Sequence, residues 1–532
     1  MPTLDWIGKD KVINHHKDVP YKVLERKYSF DESGMHKEDI HSNNMIIHGD
    51  NLEALKSFLP QYEGKIKCIY IDPPYNTGNE GWIYNDNVND PKIKKWLGEV
   101  VGKEGEDLSR HDKWLCMMYP RLVLLQKLLA EDGAIFISID DNEHANLLLV
   151  CNEIFGSNNF IQDIIWNKRV SPARDAKFFS TDHEYILVYS KNKESLTTHF
   201  LPRTEKNNSY YKNPDNDPRG PWNSAAYTCN KSRDERPNLY YPITNPYTGE
   251  KIFPKESAVW AYSEETYQQH VRDNLLYWGV NGEAKQPRKK AFLSEVGDVV
   301  PRSVWSHSDV GSTQKATMEN NTIFNMRAFS YPKVSTLVER IIQIASDKDS
   351  IVLDSFAGSG TTAHAVLNMN KSDGGNRKFI LVEMGDYADT ITAERVKRVI
   401  NGYGEGKNAV EGTGGNFSYY ELGNSLFVQD GTINDEVDIT EVRKYVWYTE
   451  TNGIEYKEDI QEKYFLGSYN DTAYYFYYEK DRVTILDYEF LTSVHKKEQT
   501  YVMYADSCAL SDSDLQKWNI TFKKIPRDIE HI

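Results

Sequence analysis

The chain has 532 residues, more than a single hydrophobic core usually spans, so we expect two to four domains. Hydrophobic residues make up 39% of it and charged residues 27%, and the net charge of −16 excludes a uniformly basic, nucleic-acid-binding surface. Residues 1–11 lack the apolar core of a signal peptide and no apolar run reaches about 18 residues, so we expect a cytoplasmic protein without a membrane span. The five scattered cysteines, with no metal-ligand spacing, predict no metal site.

Residues 43–190 alternate short apolar runs with helical patterns. The predicted helices are 51–59 and 115–129, and the predicted strands are 45–48, 68–71, 134–139, 161–166 and 185–189. Apolar strands separated by helices are typical of a mostly parallel sheet that is covered on both faces. The sequence therefore predicts a doubly wound α/β fold.

The composition changes at about residue 195. Residues 201–316 are rich in Asn, Pro, Gly, Tyr and Trp and have little periodicity, which indicates an inserted domain. Helical or strand patterns return at 333–346, 351–353, 379–382 and 386–399, and a glycine-rich linker is predicted at 402–415. We therefore predict four segments, which are 1–194, an insertion at 195–316, 317–401, and a separate, acidic, Tyr-rich domain at 416–532.

Glycines dominate the turn after the predicted strand at 351–353. The turn reads Asp354-Ser-Phe-Ala-Gly-Ser-Gly-Thr-Thr362, and its glycines allow a ligand to approach the backbone at the start of a helix. The next predicted strand ends in Glu383, where a carboxylate can bind ribose hydroxyls. Because the turn lacks the lysine of a phosphate-binding loop, S-adenosylmethionine suits it better than a nucleotide phosphate. A tight turn without a ligand is the alternative.

A second motif, Ile69-Tyr-Ile-Asp-Pro-Pro-Tyr-Asn-Thr-Gly78, ends another predicted strand in an acid, two prolines and an aromatic residue. An adenine N6 amine is a poor nucleophile, because its lone pair is delocalised into the ring. A carboxylate from Asp72 and a carbonyl from Pro73 could accept its two hydrogens and direct the lone pair at a methyl donor. Tyr75 could stack on a base that has left the duplex. A strand-end turn with a capping Asp is the alternative.

Both motifs follow strands, and ligands of doubly wound sheets bind at the carboxyl ends of strands. If the strands at 68–71 and 351–353 are neighbours, the target base and the cofactor share one crevice. The prediction of a common site therefore depends on that pairing.

Two basic clusters are candidates for contact with DNA phosphates. The first cluster contains Lys168, Arg169, Arg174 and Lys177. The second is Arg288, Lys289 and Lys290, within the predicted insertion. For each cluster, a solvated charged face without a ligand is an equally good interpretation.

These motifs resemble those of DNA amino-methyltransferases, in the beta-class order, and most closely the modification (Mod) subunits of type III restriction-modification systems. The resemblance runs through 48–55, 72–78, 131–143, 354–362 and 522–528. It implies a Rossmann-like methyltransferase sheet with circularly permuted motif order, a target-recognition domain at 195–316 and an α+β C-terminal domain.

The resemblance also assigns roles to the matching residues. The target adenine would be held by Asp72, Pro73, Pro74 and Tyr75. The cofactor would be held by Asp50, Asn51, Lys333, Asp354, Phe356, Ala357, Gly358, Gly360, Thr361, Thr362 and Glu383. Lys333 belongs to Tyr331-Pro-Lys-Val334, where the family usually has Pro-Lys-Pro, so Val334 is a departure.

The implied function is a bacterial, cytoplasmic, site-specific methyltransferase that flips an adenine out of double-stranded DNA and methylates its N6. Family members act as homodimers and bind a separate restriction (Res) subunit that carries the ATPase and the nuclease. This chain itself has no phosphate-binding loop. The spacing of Asp273, Glu283 and Lys285 resembles a nuclease motif, and we interpret it as chance.

Three alternatives remain open. An N4-cytosine methyltransferase would use the same chemistry, but more often has Ser at the position of Asp72. A methyltransferase for RNA or for protein glutamine would more often have Asn there. The chain could also serve mainly as the sequence-reading subunit of a restriction complex.

Asp140 and Asp141, which resemble a catalytic pair, are interpreted as strand-end caps.

Overall fold

The computed structural model describes residues 3–77 and 110–529, apart from Asp175 and six residues between 452 and 461. Gly78, the last residue of the second motif, lies outside the described residues. The chain forms two compact units, one made of Met1–His199 with Arg302–Ile532 and the other of Phe200–Pro301. The predicted insertion at 195–316 contains the second unit and extends beyond it at both ends.

The first part of the larger unit alternates strands and helices. Its strands are β1 (Lys22–Asp31), β2 (Gly34–His36), β3 (Met45–His48), β4 (Ile66–Ile71), β5 (Leu129–Ile139), β6 (Phe160–Asn167) and β7 (His183–Ser190). Its helices are α1 (Lys9–Val12), α2 (His15–Asp18), α3 (Asn51–Tyr62), α4 (Arg110–Leu128) and α5 (His144–Cys151), the last continued by a π-helical turn.

The smaller unit consists of short elements joined by long turns. Its strands are β8 (Trp222–Ala226), β9 (Thr228–Cys229), β10 (Ile243–Thr244), β11 (Lys251–Ile252), β12 (Val259–Trp260), β13 (Leu276–Tyr277) and β14 (Arg288–Phe292). Its helices are α6 (Glu205–Asn208) and α7 (Glu264–Arg272). An aromatic core holds the unit together and includes Tyr227, Tyr241, Trp260, Tyr267 and Trp278.

The larger unit continues after Pro301. Its further strands are β15 (Val304–Trp305), β16 (Ile351–Asp354), β17 (Lys378–Glu383), β18 (Gly402–Tyr403), β19 (Val410–Glu411), β20 (Asn416–Ser425), β21 (Phe465–Tyr469), β22 (Thr472–Phe476), β23 (Ile485–Leu486), β24 (Thr500–Ala505), β25 (Ser507–Cys508) and β26 (Ile520–Lys524). Its further helices are α8 (His307–Val310), α9 (Thr313–Phe324), α10 (Ser335–Ala345), α11 (Thr361–Asp373), α12 (Glu394–Asn401), α13 (Ile439–Thr451), α14 (Tyr488–Thr492) and α15 (Asp512–Lys517).

An eleven-stranded sheet forms the centre of the larger unit, in the order β15-β6-β7-β5-β4-β16-β17-β3-β20-β1-β2. The strands from β5 to β20 in that order run parallel, whereas β7 is antiparallel to both neighbours and β1 is antiparallel to β20 and β2. The prediction of a mostly parallel, Rossmann-like sheet is confirmed.

The strands that precede the two motifs are neighbours. β4 and β16 pair in parallel, with Cys68 opposite Val352 and Ile69 opposite Leu353. All six residues of β4 are buried, as expected of a strand that is covered on both faces. Because parallel neighbours end at the same edge of a sheet, Asp72 and the glycine-rich turn lie at one edge.

The predicted domain boundary at 416 needs a correction. β20 begins at Asn416 and pairs in parallel with β3, so it belongs to the central sheet. The composition changes in this region, but Phe417 and Tyr419 are buried core residues. After β20 the chain forms a smaller sheet, in the order β21-β22-β24-β26. Over 3–77 and 110–529, no helix combines the length and the hydropathy that crossing a membrane requires.

Candidate active site

Asp72 follows β4 directly and is held by two donors. The ammonium nitrogen of Lys333 lies 2.7 Å from Oδ1 and 2.8 Å from Oδ2 of Asp72. The hydroxyl of Tyr75 donates to the same Oδ1 over 2.9 Å. The structure therefore brings together the predicted catalytic Asp72 and Tyr75 with Lys333, which was predicted to bind the cofactor.

A second carboxylate, that of Glu184 in β7, lies in the same cluster. It accepts a hydrogen bond from Lys168 over 2.9 Å, and its Oε2 is 3.1 Å from the Tyr75 hydroxyl and 3.4 Å from the Lys333 nitrogen. The side chains of Glu184 and Lys333 are only 8% and 12% exposed. Sequence reasoning did not identify Glu184, and it assigned Lys168 to DNA rather than to this cluster.

The charges in this cluster stabilise one another. Burial raises the pKa of Asp72, and the ammonium of Lys333 opposes that shift. For Glu184, burial is outweighed by Lys333 and Lys168, which lower its pKa. Burial would lower the pKa of Lys333, but Asp72 and Glu184 outweigh it and raise that pKa. The cluster thus contains two carboxylates and two ammonium groups, and Lys333 counteracts the effect of burial on the pKa of Asp72.

Neighbouring residues hold the rest of the second motif in place. The Pro74 carbonyl accepts a hydrogen bond from the Trp114 indole over 2.6 Å. Asn76 has a left-handed backbone, with φ of 58°, and its side chain donates to the fully buried carboxylate of Glu143. Pro73 is buried, and a contact of its carbonyl with a target amine stays a prediction.

The glycine-rich turn between β16 and α11 is stabilised by the carboxylate of Asp354. This group accepts hydrogen bonds from the Phe356 amide over 3.0 Å and from the Thr362 hydroxyl over 2.5 Å. Burial raises the pKa of Asp354 to about 7. Gly358 and Gly360 have φ of 52° and 80°, in the left-handed region that favours glycine.

Glu383 ends β17, the strand beside β16, as the sequence predicts. Its two oxygens accept hydrogen bonds from the amides of Gly358 over 2.7 Å and of Gly385 over 2.8 Å. Burial raises its pKa. The Tyr387 side chain and the Met384 backbone also bond to this carboxylate, and a contact of Glu383 with ribose hydroxyls stays a prediction.

One cavity joins the turn to Asp72. Its lining includes the predicted residues Asp72, Lys333, Asp354, Phe356, Ala357, Gly358, Thr361 and Thr362, with Tyr70, Phe329, Tyr331, Pro332 and Ser359. In this lining Lys333 is the single cation, and it is paired with Asp72. The chemistry of this lining suits a sulfonium nucleoside without phosphate, such as S-adenosylmethionine.

Asp50 and Asn51 support the turn from the start of α3. The Asp50 carboxylate accepts from the Leu52 amide over 2.8 Å as the helix cap, and it pairs with Arg121 over 3.3 Å. Asn51 is buried; it donates to the Ser355 carbonyl over 2.8 Å and accepts from Arg121 over 2.5 Å. Both polar atoms of Asn51 are thus used within the protein, which gives it a bracing role. Contact of Asp50 with the cofactor stays a prediction.

Arg395 is a further residue that sequence reasoning missed. Its guanidinium is fully buried and contacts the hydroxyls of Ser359 and Thr361 over 2.9 and 2.8 Å. It also pairs with Glu319 over 3.0 Å. The signal in the sequence is a charged residue on the apolar face of the helix predicted at 386–399.

The first basic cluster is exposed except for its first member. Arg169, Arg174 and Lys177 are exposed in the segment between β6 and β7. Beside them, Phe178 is 82% and Phe179 is 92% exposed. This segment therefore presents positive charge together with apolar rings.

The second basic cluster needs a correction. Lys290 is 1% exposed, and its ammonium pairs with Asp215 over 2.5 Å and with Asp217 over 2.9 Å. It points to the interior because alternate residues of β14 are buried, so it is not available to a phosphate. Arg288 is exposed and bonded to Ser224, and a role of Arg288 and of Lys289 in binding DNA stays a prediction.

Comparisons with known proteins find related sequences. A family model described as DNA methylase matches residues 66–394, which include both motifs. The StyLTI Mod subunit of Salmonella typhimurium, named as a type III restriction-modification enzyme, is 34% identical over 424 residues, covering 74% of this chain and 62% of that protein. The EcoPI Mod subunit of Escherichia phage P1 is 32% identical over 418 residues, covering 72% and 63% respectively.

A shorter relative is covered more completely. The type II methyltransferase M.KpnI of Klebsiella pneumoniae is 33% identical over 361 residues, covering 64% of this chain and 81% of that protein. By contrast, this chain spans about three fifths of the length of the two Mod subunits. The solved PvuII DNA methyltransferase, named as cytosine-N4-specific, aligns at 14% identity over 66% of this chain and 86% of that one, with a TM-score of 0.35. The family match covers more than half of the chain, so the chain belongs to the DNA methylase family, whose cofactor is S-adenosylmethionine.

Proposed function

We propose that this chain is a site-specific DNA methyltransferase that transfers the methyl group of S-adenosylmethionine to N6 of adenine in double-stranded DNA. The observation that carries the proposal is the shared cavity of Asp72 and the glycine-rich turn, at the ends of neighbouring parallel strands. Asp rather than Ser at position 72 favours adenine over N4 of cytosine.

In the proposed reaction, Asp72 and the Pro73 carbonyl accept the two hydrogens of the target amine. The lone pair then leaves the plane of the base and attacks the methyl carbon. The positive charge that N6 gains would be lost with a proton, which the Asp72 carboxylate would accept and pass to solvent. The carboxylate of Asp72 stabilises that charge while it develops, and the Tyr75 ring provides a face for the flipped base.

S-adenosylmethionine would supply the activated methyl group, and this chain would hold it with backbone and neutral side chains, apart from Glu383. Phe356, Ala357, Gly358, Thr361 and Thr362 line the cavity. Glu383, on the next strand, would hold the ribose. This division of roles leaves Asp72 for the base.

DNA binding is proposed for two parts of the chain. Residues 195–316 would be the target-recognition domain, in which exposed polar and aromatic side chains read base edges. Arg169, Arg174 and Lys177 would contact phosphates close to the catalytic cluster, because Lys168 next to them is bound to Glu184.

We further propose that the chain is the modification and specificity subunit of a type III restriction-modification system. The names of the StyLTI and EcoPI relatives support this assignment. It implies a homodimer and a separate restriction subunit with ATPase and nuclease.

Sequencing of modified bases tests the proposal directly. DNA from a methylation-free host that expresses this chain is read by single-molecule sequencing, with an Asp72→Ala variant as the control. We expect N6-methyladenine at one short, non-palindromic motif, and none with the variant. N4-methylcytosine would change the substrate assignment, and an unmodified genome from a folded, expressed chain would favour a pure recognition subunit.

A further inference from the structure

The Lys333 ammonium contacts both residues that would bind a target base, Asp72 and Tyr75. It is within 2.8 Å of both oxygens of Asp72, the proposed acceptor of the base amine. It also donates to the Tyr75 hydroxyl over 3.0 Å, at the hydroxyl end of the ring, 4.9 Å from the ring centroid. A base that engages Asp72 and Tyr75 therefore has to displace this ammonium.

The charge of Lys333 also conflicts with the reaction. N6 gains positive charge as it is methylated, and a neighbouring ammonium repels that charge while it neutralises Asp72. Within the buried cluster such repulsion is stronger than in water. The site therefore needs Lys333 to leave Asp72 before the methyl group is transferred.

The carboxylate of Glu184 lies close enough to bind the Lys333 ammonium when that ammonium leaves Asp72. Its Oε2 is already 3.4 Å from the Lys333 nitrogen, and the other oxygen is bound by Lys168. The move requires only the side chain, since the Lys333 carbonyl accepts a hydrogen bond from Thr361 over 3.2 Å and remains anchored to the turn.

We propose that the Lys333 ammonium holds the place of the target amine on Asp72 in the free enzyme, and that Glu184 receives it when the base enters. This inference rests on the proposed adenine methylation. Lys333 and Glu184 are then positioning residues that control access of the base to Asp72. In the free enzyme the Asp72 carboxylate is paired with Lys333. In the complex with DNA, Lys333 pairs with Glu184, and the Asp72 carboxylate is available to N6.

The test compares Glu184→Gln, Lys333→Met and the double variant with the wild type. The DNA carries 2-aminopurine at the target position identified by sequencing, because its fluorescence rises when the base leaves the stack. A parallel DNA with adenine gives the single-turnover rate of methylation at saturating S-adenosylmethionine. Calorimetry gives the affinity for the cofactor.

We expect Glu184→Gln to lower the single-turnover rate and the fluorescence rise at least tenfold, because Lys333 then has no second carboxylate. Adding Lys333→Met should restore most of both signals, since no ammonium then occupies Asp72. Cofactor affinity should stay within about twofold in all three variants.

Three results would overturn the inference. They are full activity of Glu184→Gln, a double variant as slow as Glu184→Gln, and a large loss of cofactor affinity in Lys333→Met, which would make Lys333 a cofactor ligand. If Glu184→Gln does not fold, Lys333→Met alone tests the inference. Its 2-aminopurine fluorescence at limiting DNA should exceed that of the wild type, because the base enters the site more readily. A wild-type chain that flips the base without methylating it would contradict the proposed function instead.

Discussion

The guanidinium of Arg395 lies 3.0 Å from the carboxylate of Glu319, and the Arg395 side chain has no solvent exposure. The same group bonds to Ser359 and Thr361 in the glycine-rich turn. This buried ion pair therefore joins α9 and α12 to the turn that would hold the cofactor.

Arg395→Met should lower the free energy of unfolding by about 3–5 kcal/mol, because it leaves the Glu319 carboxylate buried without its partner. Urea denaturation followed by circular dichroism measures the change. Arg398→Met is the matched control on the same helix, since Arg398 pairs with Glu394 at a site where both side chains are about one third exposed. It should cost less than about 1 kcal/mol. Equal losses in the two variants would contradict the structural role of Arg395.

Asp72→Asn should reduce methyl transfer at least about a hundredfold, because the amide is neutral and cannot stabilise the charge that develops on N6. Transfer of a labelled methyl group to DNA measures the rate, and calorimetry should find cofactor affinity nearly unchanged. Asp140→Asn is the control at the end of β5, where the carboxylate caps the Asn142 amide over 2.9 Å. That variant should methylate DNA at close to the wild-type rate. Normal activity of Asp72→Asn would remove Asp72 from the mechanism.

Gly360→Ala should weaken cofactor binding about tenfold or more. At this position φ is 80°, and a Cβ atom would lie 2.9 Å from the Thr392 carbonyl oxygen, so the turn has to shift. Gly374→Ala is the control at the other end of α11, where φ is 67° and the Cβ atom would meet nothing within 4 Å. Both variants should lose about 1 kcal/mol of stability from backbone strain, but only Gly360→Ala should lose affinity for S-adenosylmethionine. Equal affinity of both variants would place the cofactor elsewhere.

The burial of Asp354 predicts a pH dependence of stability. Burial raises its pKa to about 7 in the folded chain, above the ordinary value of 3.8. This carboxyl therefore contributes stability that is fully present below about pH 4 and is lost as the pH rises through about 7. Asp354→Asn removes the titration, so the stability of the wild type relative to the variant should fall over that range. Urea denaturation at several pH values measures the difference, and a constant difference would contradict the raised pKa.

The main strands and both motifs could be predicted from the sequence because their physical signals are local. β4 is a short apolar run followed by Asp72 and two prolines, which restrict the backbone. β16 is a short apolar run that ends in Asp354, and the glycines that follow allow unusual backbone angles. The pairing of these strands was expected only conditionally, because it depends on contacts between distant segments. The structure confirms that the two strands pair, with Ile69 opposite Leu353.

Glu184 could not be predicted because its role depends on the direction of β7. A parallel strand would place its first residues at the far edge of the sheet, away from Asp72. β7 runs antiparallel to β5, and this brings Glu184 to the edge where the parallel strands end. The prediction that Lys290 contacts DNA was wrong for a related reason. Charge alone does not reveal that a side chain on a strand points to the interior.

The contrast between the two basic clusters gives a final prediction about DNA binding. Replacing both Arg174 and Lys177 by Ala should make the plot of log affinity against log salt concentration less steep by about 1.8, if each side chain neutralises one phosphate. Fluorescence anisotropy with labelled duplex at several salt concentrations measures the slope. Lys290→Met should leave the slope unchanged, because its ammonium is bound to Asp215 and Asp217. It should instead lower the unfolding temperature, since the buried Asp217 loses a partner. An unchanged slope in the double variant would show that this exposed segment does not contact DNA.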